Sequence, residues 1–374
     1  MVSLARKNLL HDRLRFAITV AGVAFAVTLV LVQVGLFMGL LGKATVTIEH
    51  ASADIWITSK ETPNVDFAHR FPDTTLLRVR SVPGVLRADN LIVQFMNLML
   101  PNGAEEGCLV YGLEDFSAWN LPWNVQGADV SDLRRGRYVL MDKSAERRFG
   151  EFAIGDYREI SEARFKIIGT TEGAASFTTA PIVFMDFRQA QGLMQTLVGK
   201  THYVLVELAP GHDRARVVAD LRTLLPYNDV YTREDWAARS RRYWVVSTGL
   251  GMNMGITVFL GILVGIVVVA QTLYTSAVEH VKEFGTVKAI GGSNWDIYRI
   301  LGEQALIAAV VGFLLGGALS LAMRPLMAKL YLNVLIGPGF AATVFAGTVL
   351  MCLGAAMLSF RRVASIDPAL VFRA

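Results

Sequence analysis

Apolar stretches with no charged side chain recur along this chain, and one long mixed region separates the first of them from the rest. Residues 16–42 form an uncharged run of 27 residues, longer than the roughly 20 that a helix needs to cross about 30 Å of hydrocarbon. Residues 245–278 are likewise uncharged, 20 uncharged residues separate Glu303 from Arg324, and no charge follows Lys329 until after Phe360. The pattern predicts four membrane spans, at 16–42, 245–274, 304–323 and 339–360. A signal peptide carries an apolar stretch of only about 7 to 15 residues, so the first run is expected to remain as a span.

Residues 43–243 change period. "ADIWITS" (53–59), "LIVQFMNLML" (91–100), "GCLVYG" (107–112), "RFKIIGT" (164–170), "PIVFMD" (181–186) and "HYVLVEL" (202–208) are rich in β-branched and aromatic residues, as strands are. Helical spacing appears in "HDRARVVADLRTLL" (212–225), which puts Ala215, Val218, Leu221 and Leu225 on one face. Thr232 with Asp235 three residues on predicts an N-cap, and the helix behind it is expected to run straight into the second span. The fold class is therefore an α-helical membrane protein with four transmembrane helices and a large mixed α/β extracytoplasmic domain between helices 1 and 2.

Charge orients this architecture. Ten Lys and Arg flank one side of the spans: Arg6, Lys7, Arg13, Arg15, Lys282, Lys288, Arg299, Arg361, Arg362 and Arg373. The opposite short loop, residues 324–338, holds Arg324 and Lys329, so both termini are expected in the cytosol of a bacterium, with the protein multi-pass in its inner membrane and the large domain in the periplasm. Arg239, Arg241 and Arg242 are a counter-signal, read as the last turns of an external helix. Residues 1–15, with Leu4, Leu9, Leu10 and Leu14 among basic residues, suit an amphipathic cytosolic helix or a plain basic flank, and 361–374 a cytosolic tail. Residues 43–243 hold 24 Lys/Arg against 26 Asp/Glu, which leaves the basic excess to the membrane part, where it suits anionic membrane lipids and does not call for nucleic acid. Cys108 and Cys352 lie too far apart in this topology to be bridged.

The loop 275–303 is more ordered than a tether. Val278, Val281, Phe284, Val287 and Ile290 recur every third residue, with Glu279, Lys282, Glu283 and Lys288 elsewhere around the helix. Gly291 and Gly292 supply C-cap geometry, and Ser293 with Asp296 predicts a new N-cap. Trp295 and Tyr298 follow at the depth where aromatic residues mark a membrane interface. Any cytosolic loop is charged and capped, but a short ordered helix at the membrane face also suits a lever received by a partner.

"EHVKEFGTVKAIGGSNWDIYRILGEQALIAAVVGFLLG" resembles the signature segment of FtsX-like/MacB-type (type VII) ABC transporter permeases, closest to the DevC-type branch. Glu279, Glu283, Gly285, Lys288, Ala289, Gly291 and Glu303 fall on that pattern, whereas His280 stands where the family usually has Arg. The closing "SIDPALVFRA" is also similar. The resemblance implies a permease subunit that transmits ATP-driven motion from a separate cytosolic ATPase to its periplasmic domain, through coupling residues Glu279, Val281, Lys282, Glu283, Phe284, Gly285, Lys288, Gly291 and Gly292. It further implies a second permease copy, as a homodimer, a periplasmic adaptor and a TolC-like outer-membrane duct in a tripartite efflux or export pump. Two variants of the same architecture are an FtsX-like regulator of periplasmic cell-wall enzymes and a lipoprotein-extracting permease.

Other chemistry finds little support in the residues. Gly199-Lys200-Thr201 is the nearest approach to a phosphate loop, but Met194 stands in place of its first glycine, so no cofactor is expected in this chain and ATP with Mg is expected on the partner ATPase. The six histidines, 11, 50, 69, 202, 212 and 280, make no metal or hydrolytic motif, so neither a catalytic nor a metal site is expected. The expected spans hold no residue for an ion relay; Gln33 and Gln271 are their notable polar residues, able to bond across a dimer or within one subunit. A sensor and a membrane-anchored enzyme are the competing classes, without a signalling domain or catalytic constellation to support them.

Overall fold

The computed structural model describes residues 13–178, 180–280, 286, 293–329 and 332–363. Among them, six helices have ten or more residues: α1 (Arg13–Lys43), α2 (Arg214–Leu224), α3 (Arg233–Arg242), α4 (Leu250–Glu279), α5 (Asn294–Lys329) and α6 (Pro338–Val363). Of these, α1, α4, α5 and α6 are long and apolar enough to cross a membrane. At about 1.5 Å per residue, α1 extends roughly 46 Å and overshoots the hydrocarbon, which is why its ends reach Arg13 and Lys43. The chain forms two units, one from Met1–Gly39 with Gly251–Ala374 and one from Leu40–Leu250.

In the membrane unit α1 is the helix on which the others pack. Its Val23, Val27 and Leu31 are buried with Val269 and Leu273 of α4, Ala305 and Ala309 of α5, and Cys352, Ala355 and Ala356 of α6. Small residues allow this close approach. A Cβ at Gly312 would lie 2.5 Å from Val23, and one at Gly316 only 2.7 Å from the Ala24 carbonyl oxygen. Thr28 Oγ1 donates to the Gly316 carbonyl at 3.2 Å across the same contact. Gly255 of α4, by contrast, faces open space. Gln33 donates to Met254 Sδ at 3.2 Å within the unit. The extended residues 332–337 return to α1: Leu335 N–H donates to Gly35 O at 3.0 Å, and the Arg324 guanidinium holds Val334 O at 3.1 and 3.2 Å.

Eleven strands build the second unit: β1 (Ile55–Ser59), β2 (Phe71–Pro72), β3 (Val85–Met99), β4 (Glu105–Leu113), β5 (Tyr138–Asp142), β6 (Tyr157–Ile160), β7 (Ala163–Thr171), β8 (Ile182–Asp186), β9 (Lys200–Thr201), β10 (Tyr203–Leu208) and β11 (Asn228–Thr232). Nine form a mixed sheet in the order β11-β1-β10-β3-β4-β8-β5-β7-β6. The far end of β3 also pairs with β6, Leu98 opposite Ile160, so six of these strands close on themselves. Both sheet faces are covered. Leu109, Tyr111 and Leu113 of β4 enter one core with Trp56 and Tyr203, while Cys108 and Val110 enter another with Phe165 and Val183. This double burial explains why "GCLVYG" and "PIVFMD" are continuous apolar runs with no alternation.

The six expected strands are all present. Five more, β2, β5, β6, β9 and β11, are short or charged and gain their identity from neighbours, not from their own pattern. Helix α2 is capped by Asp213, which accepts from Ala215 N–H at 3.0 Å. It buries Val217, Val218 and Leu221, whereas Ala215, expected on the inner face, is exposed. A larger correction concerns the helix after Thr232. The cap is as expected, with Asp235 N–H on Thr232 Oγ1 at 3.1 Å, but the helix does not continue unbroken. A π-turn occupies Tyr243–Ser247, and Gly249 takes a left-handed φ of 71° before α4 begins at Leu250. Trp244 explains the break, because its indole is buried and stacks on Phe177 at 3.9 Å, which an unbroken helix need not permit.

Candidate functional site: the Glu279 end of the membrane unit and a buried carboxyl in the outer domain

Helix α4 continues past the expected end of its span to Glu279. The Glu279 carboxylate meets the Arg15 guanidinium of α1 in a two-pronged ion pair, Nη1 to Oε2 and Nη2 to Oε1. Both side chains are partly exposed, so the pair contributes little to stability, but it fixes the ends of two helices to each other. Of the expected coupling residues, only Glu279 is placed: Val281, Lys282, Glu283, Phe284, Gly285, Lys288, Gly291 and Gly292 lie outside the described residues.

The restart of the chain has the predicted geometry. Ser293 N–H and Oγ both donate to Asp296 Oδ2, at 2.8 and 2.9 Å, the carboxylate arm of the expected cap at the start of α5. Trp295 follows, 75% exposed, with Tyr298 6.4 Å away centroid to centroid. Arg299 and Glu303 pair at 3.5 Å one turn on. The link from Arg15 to Glu279 went unforeseen, although its signal was present: opposite charges stand at the start of the first expected span and at the end of the second.

The outer domain holds a second, wholly unanticipated cluster. Tyr203 OH donates to the Asn64 and Val65 carbonyls at 3.1 and 3.0 Å, while Asn64 Oδ1 accepts from Asp66 and Phe67 N–H at 2.8 and 2.9 Å. These bonds turn the Asp66 carboxyl inward, where its Oδ2 has no hydrogen-bond partner among the described residues. Burial pushes this carboxyl up to about 7, opposed only in part by the Phe177 backbone. His202 is displaced the other way, to about 4, chiefly by burial, and its Nδ1 accepts from Val93 N–H at 3.2 Å. No local sequence pattern marks Asp66, because its burial depends on strands from elsewhere in the chain.

Lys200 and Thr201 form strand β9 against β2, a structural use of the segment closest to a phosphate loop. Cys108 and Cys352 are both unbridged and buried. Among the described residues no group of three or more His, Cys, Asp or Glu could hold a metal ion.

Four membrane-length helices with a large α/β insertion between the first and second define a multi-pass membrane protein. A family model for the MacB-like periplasmic core domain matches residues 16–224, and one for the FtsX-like permease C-terminal region matches residues 255–368. The chain belongs to the MacB/FtsX-like family of ABC transporter permeases. It is 24% identical to an uncharacterized ABC transporter permease of Mycobacterium tuberculosis strain H37Rv over 100% of its own length and 99% of that protein. A macrolide export ATP-binding/permease protein, MacB of Nitrosomonas europaea, is 21% identical over 95% of this chain and 56% of its own length. Among solved structures, the periplasmic region of MacB from Actinobacillus actinomycetemcomitans aligns at a TM-score of 0.40 and 12% identity, covering 50% of this chain and 92% of that one.

Proposed function

We propose that this chain is the permease subunit of an ABC export complex. It carries ATP-driven motion from a separate cytosolic ATPase, which binds the ATP and Mg, to its outer domain, where the work of efflux or export is done. The observation that carries this reading is the presence of both modules in one chain, the second matched across the whole loop that resembles a coupling segment. The basic excess at the Glu279 end favours cytosolic termini in a bacterial inner membrane. A second copy of the chain, a periplasmic adaptor and an outer-membrane duct complete the proposed tripartite assembly.

In this mechanism the segment around Phe284 is the lever, and the pairing of Arg15 with Glu279 passes its displacement to α1 as well as α4. The test is purification of the tagged chain from its native membrane in mild detergent, with mass spectrometry of its companions. Wild type is expected to bring down an ATPase with two copies of the permease. Phe284→Asp or Glu283→Lys is expected to lose the ATPase and export while the protein stays folded in the membrane, because an unpaired carboxylate or a reversed charge buried at a docking interface costs several kcal/mol. Normal ATPase recovery and export by both variants would overturn the assignment.

A further inference from the structure

Beside the restart of α5, the membrane unit carries a groove that protein-coupling function does not explain. Two adjoining cavities of about 470 and 640 Å³ share Trp295, Tyr298 and Met357. The first runs between α5 and α6 past Arg299 and Gly302, and the second continues over Gly354 and Leu358 to Ile266 of α4. The groove exists because side chains are missing from its floor. A Cβ built on Gly302 or on Gly354 meets no atom within 4 Å.

Its chemistry changes along its length. Leu350, Met357 and Leu358 of α6 are 70%, 58% and 59% exposed, an apolar strip on a membrane-length helix. At the end near residue 295 the strip gives way to an exposed indole, a phenol and a cation, the composition of a membrane interface. Arg299 is 76% exposed and its pairing with Glu303 at 3.5 Å is a surface pair of little strength, readily exchanged for a phosphate. Asp296, the other acid nearby, already accepts two bonds from Ser293.

We propose that this groove holds one membrane phospholipid, with its phosphate on Arg299 and an acyl chain laid along α5 and α6 past Gly302 and Gly354. The occupant must be apolar along the helices and anionic at their end. A phospholipid meets both demands, and the lipid bilayer supplies it at high concentration on this very surface. The lipid gives α5 a fixed depth next to the loop that precedes it.

Trp295 reports on the site directly, since the other five tryptophans, 56, 119, 123, 236 and 244, belong to the Leu40–Leu250 unit. The full chain in a nonionic maltoside detergent is titrated with phosphatidylglycerol brominated on its acyl chains, and the Trp295 signal is taken as the difference from Trp295→Phe. Saturable quenching of Trp295 is expected. Gly302→Leu with Gly354→Leu fills open space without a clash, keeps the fold and should abolish the saturable component. Arg299→Gln should raise the half-saturating lipid concentration about fivefold, the equivalent of roughly 1 kcal/mol for one cation at an anionic surface. Quenching that rises linearly with lipid and is equal in all variants would show ordinary annular lipid and overturn the proposal. Protection of Trp295 by a co-purifying protein and not by lipid would overturn it equally.

Discussion

Gly316→Leu is expected to disrupt the membrane unit, with loss of monodisperse protein in detergent and a large drop in the melting temperature of what remains. The position admits no Cβ: the nearest obstacle is the Ala24 carbonyl oxygen at 2.7 Å, with Val27 side-chain atoms at 2.9 Å. A flexible side chain could swing aside, but a backbone oxygen in the middle of α1 moves only with its helix. Separating α5 from α1 also breaks the bond from Thr28 Oγ1 to the Gly316 carbonyl. Overpacking a core costs about 1–3 kcal/mol when side chains can adjust, and here the obstacle is backbone. Gly255→Leu is the control, since nothing lies within 4 Å of a Cβ there and leucine is the better helix former. Equal stability of the two variants would mean that α5 does not lean on α1 in the membrane.

Asp66→Asn should remove a pH dependence from the outer domain. The folded state raises the Asp66 carboxyl from 3.8 to about 7 by burial, so between those values it holds a proton that the unfolded chain releases. Stability contributed by this site is therefore greatest below about pH 4, falls as pH rises through the window, and is flat above about 7. The fall is on the order of 4 kcal/mol for a shift of this size. His202 acts in the opposite sense, because its folded value near 4 lies below its usual 6.5, so its contribution is lost as pH drops through that range. The two slopes overlap, which makes the difference between wild type and Asp66→Asn the quantity to measure. Thermal unfolding of the full chain at steps from pH 4 to 8 should give a difference that grows in favour of the variant toward pH 7 and then levels. A difference that is constant with pH would show that Asp66 is ionised in the folded protein throughout. Hydrogen exchange adds a local readout: Phe67, next to Asp66, lies 5.8 Å from the Trp244 ring, which stacks on Phe177. Ionising Asp66 is expected to speed exchange in 64–67 and 174–177 before the rest of the sheet.

What was legible in the chain was whatever depends on runs of residues. A membrane span is announced by its own uncharged length, and the strands buried on both faces by their own continuous apolar stretches. The Thr232 and Ser293 caps were also visible, because a cap bonds within three residues of itself. The π-turn at Tyr243–Ser247 was not, since the residues there are ordinary helix residues and it is Phe177, more than sixty positions earlier, that claims Trp244. Glycine recurs in the spans, and only packing separates Gly312 and Gly316, which touch α1, from Gly255, which faces open space.

The class of protein, the number of spans, the mixed α/β insertion and the segment that resembles a coupling loop are all written in local periodicity, charge and a contiguous motif, and so could be read along the chain. Tertiary structure alone decided that α1 lies at the centre of its unit, that Arg15 meets Glu279 across 264 positions, that Asp66 is shut away from water, and that Gly302 and Gly354 leave a groove. Those features arise from surfaces brought together at long range, where burial changes what a carboxyl or a glycine can do, and no window of neighbouring residues carries that information.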